Sequence, residues 1–506
     1  MKSFDHNKAW IPILGIAILL MFSLFIYKHF SPASLFTGKN KSIAVLPFIN
    51  MNNDKESEYF SDGLTDEIIG QLVKIADLKV VARPTIMIYK NSKKDIREIA
   101  STLKVSAVLT GGVERTGNVL SIHTRLVDAG SGHTIWETTY QRELKDIFTI
   151  QSEVSRFIAE QLNLKLTETE KNKISERPTL NLEAYNFYLK GRYCYYQRDE
   201  KSLHKGIEYF NQAIQLDSVY SRAYSGLADC YSALGYASYE MPSTVFLKAE
   251  KAAIKAIALD STLAEPYTSL GYIKFYYYWD WQGAEQEFIK AIQLNPNYVQ
   301  AYVSYGYYLT SMERFPEARQ VMEKAMQLDP LSAAINTDMG FFLYYAREYN
   351  QAIRFLKSAL ELNPKSPLAH NWYGRIFQVS KKYEEAIQEY QYMMEYSKGW
   401  SVAYAAIGNV YGISGRKDSA RIILAKMKSD SSFRYVTPYG IGLVYASINE
   451  KDRAFECLNL AYAQHSNWLV WLKSDPRWIN LHNDQRFQML LEQIGLTKTN
   501  RPFNRE

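Results

Sequence analysis

Cysteine and histidine are scarce in this chain of 506 residues. There are three cysteines, Cys194, Cys230 and Cys457, and eight histidines. A sparse and odd set of cysteines excludes a disulfide framework. The histidines form no HExxH motif and stand at no zinc spacing with the cysteines, so we expect no metal site. The cysteines fall in segments with helical patterning and are predicted to be small apolar packing residues.

Catalytic and nucleotide-binding motifs are missing as well. The sequence has no GxSxG, kinase or cyclase signature. Residues 110–117 (TGGVERTG) are rich in glycine, but they lack the GxxxxGK[ST] order of a phosphate loop. A hairpin turn is predicted there instead. We therefore predict a protein that is not an enzyme and has no catalytic, cofactor or metal residues. An enzyme whose site we do not recognise, in the α/β part of the chain, is an alternative to the two functions given at the end of this subsection.

Positive charges are in small excess over negative ones. The 59 Lys and Arg against 53 Asp and Glu leave a net charge of +6. Both signs are mixed along the chain and no Lys/Arg block stands out, so we expect no nucleic-acid partner. The length exceeds what one hydrophobic core normally supports, and two or three domains are predicted.

One long apolar run lies near the amino terminus. Residues 10–27 (WIPILGIAILLMFSLFIY) carry no charge, and at about 1.5 Å per residue they just cross a hydrocarbon core. We predict a short tail over 1–8, an uncleaved transmembrane helix over 9–27 and a linker over 28–41. A cleaved signal peptide is the alternative, although no small-x-small site follows the run. Lysines on both sides leave the orientation open by the positive-inside rule.

Residues 42–170 alternate strand and helix patterns and are predicted to form a small α/β domain with a mixed sheet. Asp62, Asp66 and Glu67 cluster where a helix is expected to start, and carboxylates there favour the helix dipole. The predicted strands cover 42–48, 78–82, 106–110, 119–127 and 134–140, and the predicted helices cover 64–75, 95–103 and 147–164.

The second half of the chain repeats with a fixed period. Gly306, Gly340, Gly374, Gly408 and Gly442 are spaced by 34 residues, the period of the tetratricopeptide repeat (TPR), and an alanine follows each glycine by 12. Small side chains at these positions let the two helices of one unit approach closely. We predict an all-α TPR solenoid of about eight units over 182–466, followed by a carboxy-terminal cap and tail over 467–506.

The segment between the apolar run and the repeats also resembles a known family. SIAVLPFIN, EYFSDGLTDEIIGQL, LKVVAR and the blocks after them, up to about residue 164, are similar in order to the TolB amino-terminal-like domain. In bacterial signalling proteins of this kind, the domain lies between an effector and a TPR array. The effector is an adenylate cyclase, a kinase or the DNA-binding domain of ToxR-like activators. Nine residues precede the apolar run here, so we expect no effector in this chain.

Partner binding is predicted on the inward face of the first helix of each repeat. This face is mainly aromatic, with Arg375 as an anion contact, and packing against neighbouring helices is the alternative role. The candidate partner-binding residues are Tyr272, Tyr276, Tyr307, Phe341, Tyr345, Asn371, Arg375 and Asn409, and the same face includes Thr268, Val303 and Thr337.

Two functions are compatible with these features. The first is a membrane-anchored, non-enzymatic adaptor in the inner membrane that binds a protein or peptide in envelope signalling or assembly. The resemblance to ToxR-like activators implies that its bulk lies in the periplasm. The second is the sensory half of a transcriptional or cyclase-type signalling system whose effector is on a separate chain or missing from this reading frame. The sequence leaves the partner and the oligomeric state open.

Overall fold

The computed structural model describes residues 41–52, 55–397, 400–432 and 434–497. The predicted tail, the transmembrane helix and nearly all of the linker lie outside these residues. Within them, no helix combines the length and the apolar character needed to cross a membrane.

The amino-terminal part is a small α/β domain, as predicted. One six-stranded mixed sheet has the order β3–β1–β4–β5–β6, and β2 pairs with β4 beyond the end of β1. Its strands are β1 Ser42–Val45, β2 Ile49–Asn50, β3 Lys79–Val80, β4 Ala107–Thr116, β5 Val119–Asp128 and β6 Thr134–Glu143. Its helices are α1 Lys55–Val73, α2 Arg83–Met87, α3 Ile96–Leu103, α4 Ile147–Gln161 and α5 Glu168–Ser175.

Helices cover both faces of the sheet, and successive side chains along a strand pack against opposite faces. β1 runs parallel to β3 and β4, whereas β4, β5 and β6 form an antiparallel meander. Ile43 and Val45 pack in the cluster formed with α1 and α4. Ala44, between them, packs in the cluster formed with α2 and α3 on the other face.

Two predictions about this domain are wrong in detail. Gly111 lies inside β4 rather than in a turn, and the hairpin turns at Gly117, which has a φ of 60°. A Cβ on Gly111 would come within 2.8 Å of the Phe48 ring, so glycine here permits a close contact inside the sheet. Helix α1 begins at Lys55, well before the predicted start. Asp62, Asp66 and Glu67 therefore lie in the helix interior, where they cannot act on the helix N-terminus.

The rest of the chain is an array of eight helix pairs over residues 182–463, counted over the part of the chain that the structure describes. The first helices of repeats 1 to 8 are α6 Leu182–Gln197, α8 Ser221–Tyr236, α10 Glu265–Ile273, α12 Val299–Ser311, α14 Ala333–Tyr345, α16 Pro367–Val379, α18 Ser401–Ile413 and α20 Pro438–Ser447. The second helices are α7 Glu200–Leu216, α9 Pro242–Leu259, α11 Trp281–Leu294, α13 Phe315–Leu328, α15 Tyr349–Leu362, α17 Tyr383–Tyr396, α19 Lys417–Asp430 and α21 Lys451–Ala463.

The periodic glycines lie where the two helices of a repeat touch. A Cβ on Gly340 would lie 2.5 Å from Leu356 Cγ, and a Cβ on Gly374 would lie 2.6 Å from Tyr390 Cε1. In repeat 7 a Cβ on Gly408 would meet both the second helix and the next repeat. The crowded helix contact expected from the 34-residue register is therefore present.

The carboxy-terminal segment does more than cap the last repeat. It forms 3₁₀-helices at Asn467–Trp471 and Pro476–Leu481 and a final helix, α22 Gln485–Gln493. Leu469, Val470 and Leu472 are completely buried. A short segment achieves this burial because it lies against several repeats at once, on the inner side of the array.

Candidate binding surface of the repeat array

The predicted partner-binding residues lie on the first helices as expected, but most of them are not accessible. The structure corrects the expectation of an exposed groove, and their assignment to partner binding stays a prediction. Tyr272 and Tyr307 are half-buried. The buried ones are Thr268, Tyr276, Val303, Thr337, Phe341, Tyr345, Asn371, Arg375 and Asn409.

Trp471 of the carboxy-terminal segment covers the centre of this face. Its ring lies 4.9 Å from that of Phe341 and stacks on Tyr345 at 5.0 Å, both in repeat 5. It also meets Phe275 of repeat 3 edge-on at 6.1 Å. Aromatic pairs at these distances add to the energy of area burial. The segment that was predicted to cap the last repeat thus occupies the concave face.

The segment also connects the end of the array to repeats 2 and 3. Trp468 Nε1 donates to Ser238 Oγ at 3.1 Å, and Asn467 Nδ2 donates to the Tyr236 carbonyl at 3.0 Å. His465 stacks on Trp279 at 4.9 Å. These contacts join residues more than 180 positions apart in sequence. The array therefore curves far enough for the segment after repeat 8 to touch repeats 2 and 3.

Arg375, predicted as an anion contact for a partner, has an anion from its own chain. Its Nη1 lies 3.8 Å from Asp475 Oδ2, and Arg477 Nη2 approaches the same carboxylate to 2.5 Å. Asp475 is 1% exposed, and the Tyr439 hydroxyl also donates to it. Burial by itself would raise the pKa of Asp475, but the two arginines outweigh it and hold the pKa below its ordinary value.

Asn409 belongs to a structural hydrogen-bond network. Its Nδ2 donates to the Leu443 carbonyl at 3.0 Å, and its Oδ1 accepts from Gln378 Nε2 at 2.6 Å. Tyr390 completes the chain by donating to Gln378 Oε1 at 2.9 Å. The network links three consecutive repeats, so the role that the structure shows for Asn409 is to hold neighbouring repeats in register.

Repeats 2 to 5 keep an accessible part of the concave face. Tyr236, Tyr272, Tyr307 and Asp338 are half-buried there, one from each successive repeat. The sequence register missed Tyr236 because repeat 2 falls outside the 34-residue glycine series. It missed Asp338 because this residue precedes its glycine by two, and the inward positions used were three before and one and five after. The sequence feature that could have identified Asp338 is a carboxylate two residues before Gly340 on the predicted first helix.

The array is joined to the α/β domain through charges that are buried or mostly buried. Arg222 of repeat 2 pairs with Glu67 of α1 at 3.0 Å. Arg192 of repeat 1 lies 3.5 Å from both Asp66 of α1 and Asp229 of repeat 2. Charges in such positions are stabilising when they are paired and costly when a partner is lost. The acidic residues in the interior of α1 therefore serve domain docking.

Burial raises the pKa of two of these carboxyl groups. It raises the pKa of Glu67 against the opposing effect of Arg222, and it raises the pKa of Asp229 to about 6 against the opposing effect of Arg192. A glycine also marks this contact, since a Cβ on Gly63 would come within 2.9 Å of Leu189 in repeat 1. The two parts of the chain thus approach closely along α1.

Comparison with known proteins identifies two segments. Residues 39–161 match the family described as HilA/YgeH-like transcriptional regulator, second domain, and residues 309–376 match a tetratricopeptide repeat. A curated relative, the putative adenylate cyclase 3 of Rhizobium meliloti (strain 1021), is 36% identical over 187 residues, which span 37% of this chain and 32% of the relative. The match thus covers about a third of the relative. The resemblance of residues 42–164 to TolB stays a prediction.

Solved structures resemble the chain at low scores. The APC/C hetero-tetramer Cut9-Hcn1 aligns with a TM-score of 0.43 and 16% identity over 69% of this chain and 63% of that chain. Yeast Tom70 aligns with a TM-score of 0.40 and 15% identity over 69% of this chain and 83% of that chain. Nothing about partners follows from scores of this size. The helix pairs, their close glycine contacts and the family match together show that the second part of the chain is a tetratricopeptide-repeat solenoid.

Proposed function

We propose that this chain is a non-enzymatic scaffold that binds a protein or peptide partner in bacterial envelope signalling. The observation that carries the proposal is the eight-repeat array, because TPR solenoids offer extended surfaces that bind other proteins. The array is docked on the α/β domain through the Arg222–Glu67 pair, so both parts present their surfaces as one unit.

The partner surface that this structure supports best is the accessible part of the concave face on repeats 2 to 5, around Tyr236, Tyr272, Tyr307 and Asp338, which we call the open half. Its predicted members Tyr272 and Tyr307 are half-buried, and aromatic side chains supply much of the energy of protein interfaces. The centre of the face, next to it, is closed by Trp471 and its neighbours. Burying a large apolar side chain contributes about 1.5–3 kcal/mol, and several are buried here, so the segment is held firmly.

Affinity capture with matched variants tests the function. The full chain, purified in detergent, would be used as bait against membrane and periplasmic extracts, with Tyr272→Ala and Tyr307→Ala together as the test variant. Tyr209→Ala, on the second helix of repeat 1, is the control. Loss of a captured protein with the test variant alone, at unchanged melting temperature, supports the proposal. Equal capture by wild type and both variants would remove this surface as the partner site.

A second candidate function is the sensory half of a signalling system. It is favoured by the similarity of residues 39–161 to the second domain of HilA/YgeH-like regulators and by the similarity to a putative adenylate cyclase. Under this hypothesis the effector is a separate chain. Cross-linking in cells would then recover a DNA-binding protein or a cyclase, and recovery of assembly or transport proteins alone would speak against it.

Membrane attachment and a periplasmic location are part of the proposal. The attachment rests on the apolar run at residues 10–27, and the location rests on the resemblance to ToxR-like activators. Alkaline phosphatase fused after Leu496 should be active if the bulk of the chain is outside the cytoplasm. An inactive fusion together with an active cytoplasmic reporter would reverse the orientation. Release of a shortened soluble protein would show a cleaved signal peptide.

A further inference from the structure

Three tyrosine rings meet on the open half of the concave face. Tyr236 of repeat 2 lies 5.6 Å from Tyr272 and 5.5 Å from Tyr276 of repeat 3, and the latter two are 4.4 Å apart, measured between ring centroids. Tyr307 of repeat 4 follows along the same face. The rings of Tyr236, Tyr272 and Tyr307 remain partly accessible.

A carboxylate without a cation partner stands beside these rings. The Tyr307 hydroxyl donates a hydrogen bond to Asp338 Oδ1, and Asp338 forms no ion pair with any residue that the structure describes. Burial raises the pKa of Tyr236 and Tyr276, and the charge of Asp338 raises both further. Burial also raises the pKa of Asp338 to about 7.

The Tyr276 hydroxyl is a second unmet polar group. Tyr276 is 1% exposed, and its hydroxyl has no hydrogen-bond partner within the described part of the chain. A buried polar atom without a partner is destabilising, and native structures usually supply a ligand, water or ion for it. The Tyr276 hydroxyl is therefore able to accept a hydrogen bond from a ligand.

Neighbouring cations do not take this place. Arg375 and Arg198 act on Tyr236, where each lowers its pKa, but neither forms an ion pair with Asp338. Arg375 is held by Asp475. Above a pH of about 7, Asp338 therefore presents a negative charge without a pairing cation to a surface of aromatic rings.

We propose that Tyr236, Tyr272, Tyr276, Tyr307 and Asp338, the tyrosine cluster, bind an alkylammonium group. Aromatic faces attract ammonium cations, a carboxylate pairs with them, and the Tyr276 hydroxyl accepts one of their N–H donors. The ammonium group belongs to a free amine or to a lysine side chain of a protein partner. The inference goes beyond the scaffold function, and its test needs no protein partner.

Calorimetric titration of the full chain tests the site. The probes are putrescine, as a free primary amine, and an acetylated and amidated pentapeptide with one central lysine among glycines. Wild type should bind at least one of them at pH 8 and bind it more weakly at pH 6, because protonation removes the Asp338 charge. Preference for putrescine indicates a free amine, and preference for the peptide indicates a lysine side chain.

Two variants and a control complete the experiment. Asp338→Asn should weaken binding about tenfold or more, since it removes the charge and keeps the shape. Tyr236→Leu should also weaken binding, because it removes one aromatic ring. This second variant still tests the site if Asp338→Asn is unstable. Glu361→Gln removes an exposed carboxylate from the same repeat and should bind as wild type does. Absence of binding of both probes at millimolar concentration, or unchanged affinity in Asp338→Asn, would overturn the proposal.

Discussion

Single side chains decide how closely the helices of this array approach. Gly374 lies against Tyr390, and the repeat is built around the missing side chain. Gly70 in α1 offers a contrast, because a Cβ there would meet no atom within 4 Å. Gly374 is thus required by close packing, whereas Gly70 is not. Substitution of each glycine by alanine distinguishes these two situations.

Gly374→Ala should lower the free energy of unfolding by about 1–3 kcal/mol, since the new methyl group overpacks the helix contact. Gly70→Ala should raise it by up to about 1 kcal/mol, because alanine favours the helix and restricts the unfolded chain. Chemical denaturation of the full chain measures both. Equal effects of the two substitutions would contradict the proposed packing of repeat 6.

Asp475 is the residue on which the closure of the array depends electrostatically. Asp475→Asn leaves Arg375 and Arg477 buried without their anion and should cost about 3–5 kcal/mol. The folded-state pKa of Asp475 is depressed, so its contribution is fully present above the unfolded pKa of about 3.9 and is lost as the pH falls through the folded pKa.

Melting curves between pH 3 and pH 7 would show this dependence. The difference between wild type and Asp475→Asn should be constant near neutral pH and should shrink once the pH falls below about 4. A difference that instead grows as the solution becomes acidic would contradict the assignment of Asp475 as the buried anion.

At the scale of elements, α1 carries the contact between the two domains. Arg222→Met should destabilise the docked state by up to about 3–5 kcal/mol, because Glu67 is then buried without its partner. Adding Glu67→Leu should recover most of that loss, since an apolar pair of similar volume needs no compensation. Differential scanning calorimetry of the single and double variants measures this coupling. Equal stability of the single variant and wild type would show that the pair does not hold the domains.

The elements also show what the sequence could predict and where it could not. The 34-residue register placed Gly340 and Gly374 correctly, because helix packing within a repeat is local. The extra turns of α1 before residue 64 were missed, because they are stabilised by Phe60, which is 2% exposed, and by contact with repeat 1. The burial of Phe341 by Trp471 was missed because the two residues are far apart in sequence and meet only when the array curves.

At the scale of the whole molecule, the array and the segment that follows it form a closed body with one accessible half of its concave face. Trp471 covers the centre of this face, and the tyrosine cluster lines the accessible part beside it. The α/β domain packs against the outer turns as well, since Asn297 Nδ2 of the repeat 3–4 turn donates to the Val73 carbonyl at 3.4 Å. Partner binding is therefore expected on a preformed surface rather than along a flexible open solenoid.

Hydrogen–deuterium exchange of the full chain tests this central claim most directly. Peptides covering residues 467–472 should exchange as slowly as peptides from α14, because their amides lie inside the closed array. The Trp471→Ala variant should speed exchange in this segment and in repeat 5 but leave the sheet of the α/β domain unchanged. Fast exchange of residues 467–472 in the wild-type chain, beside slow exchange in α14, would contradict the account.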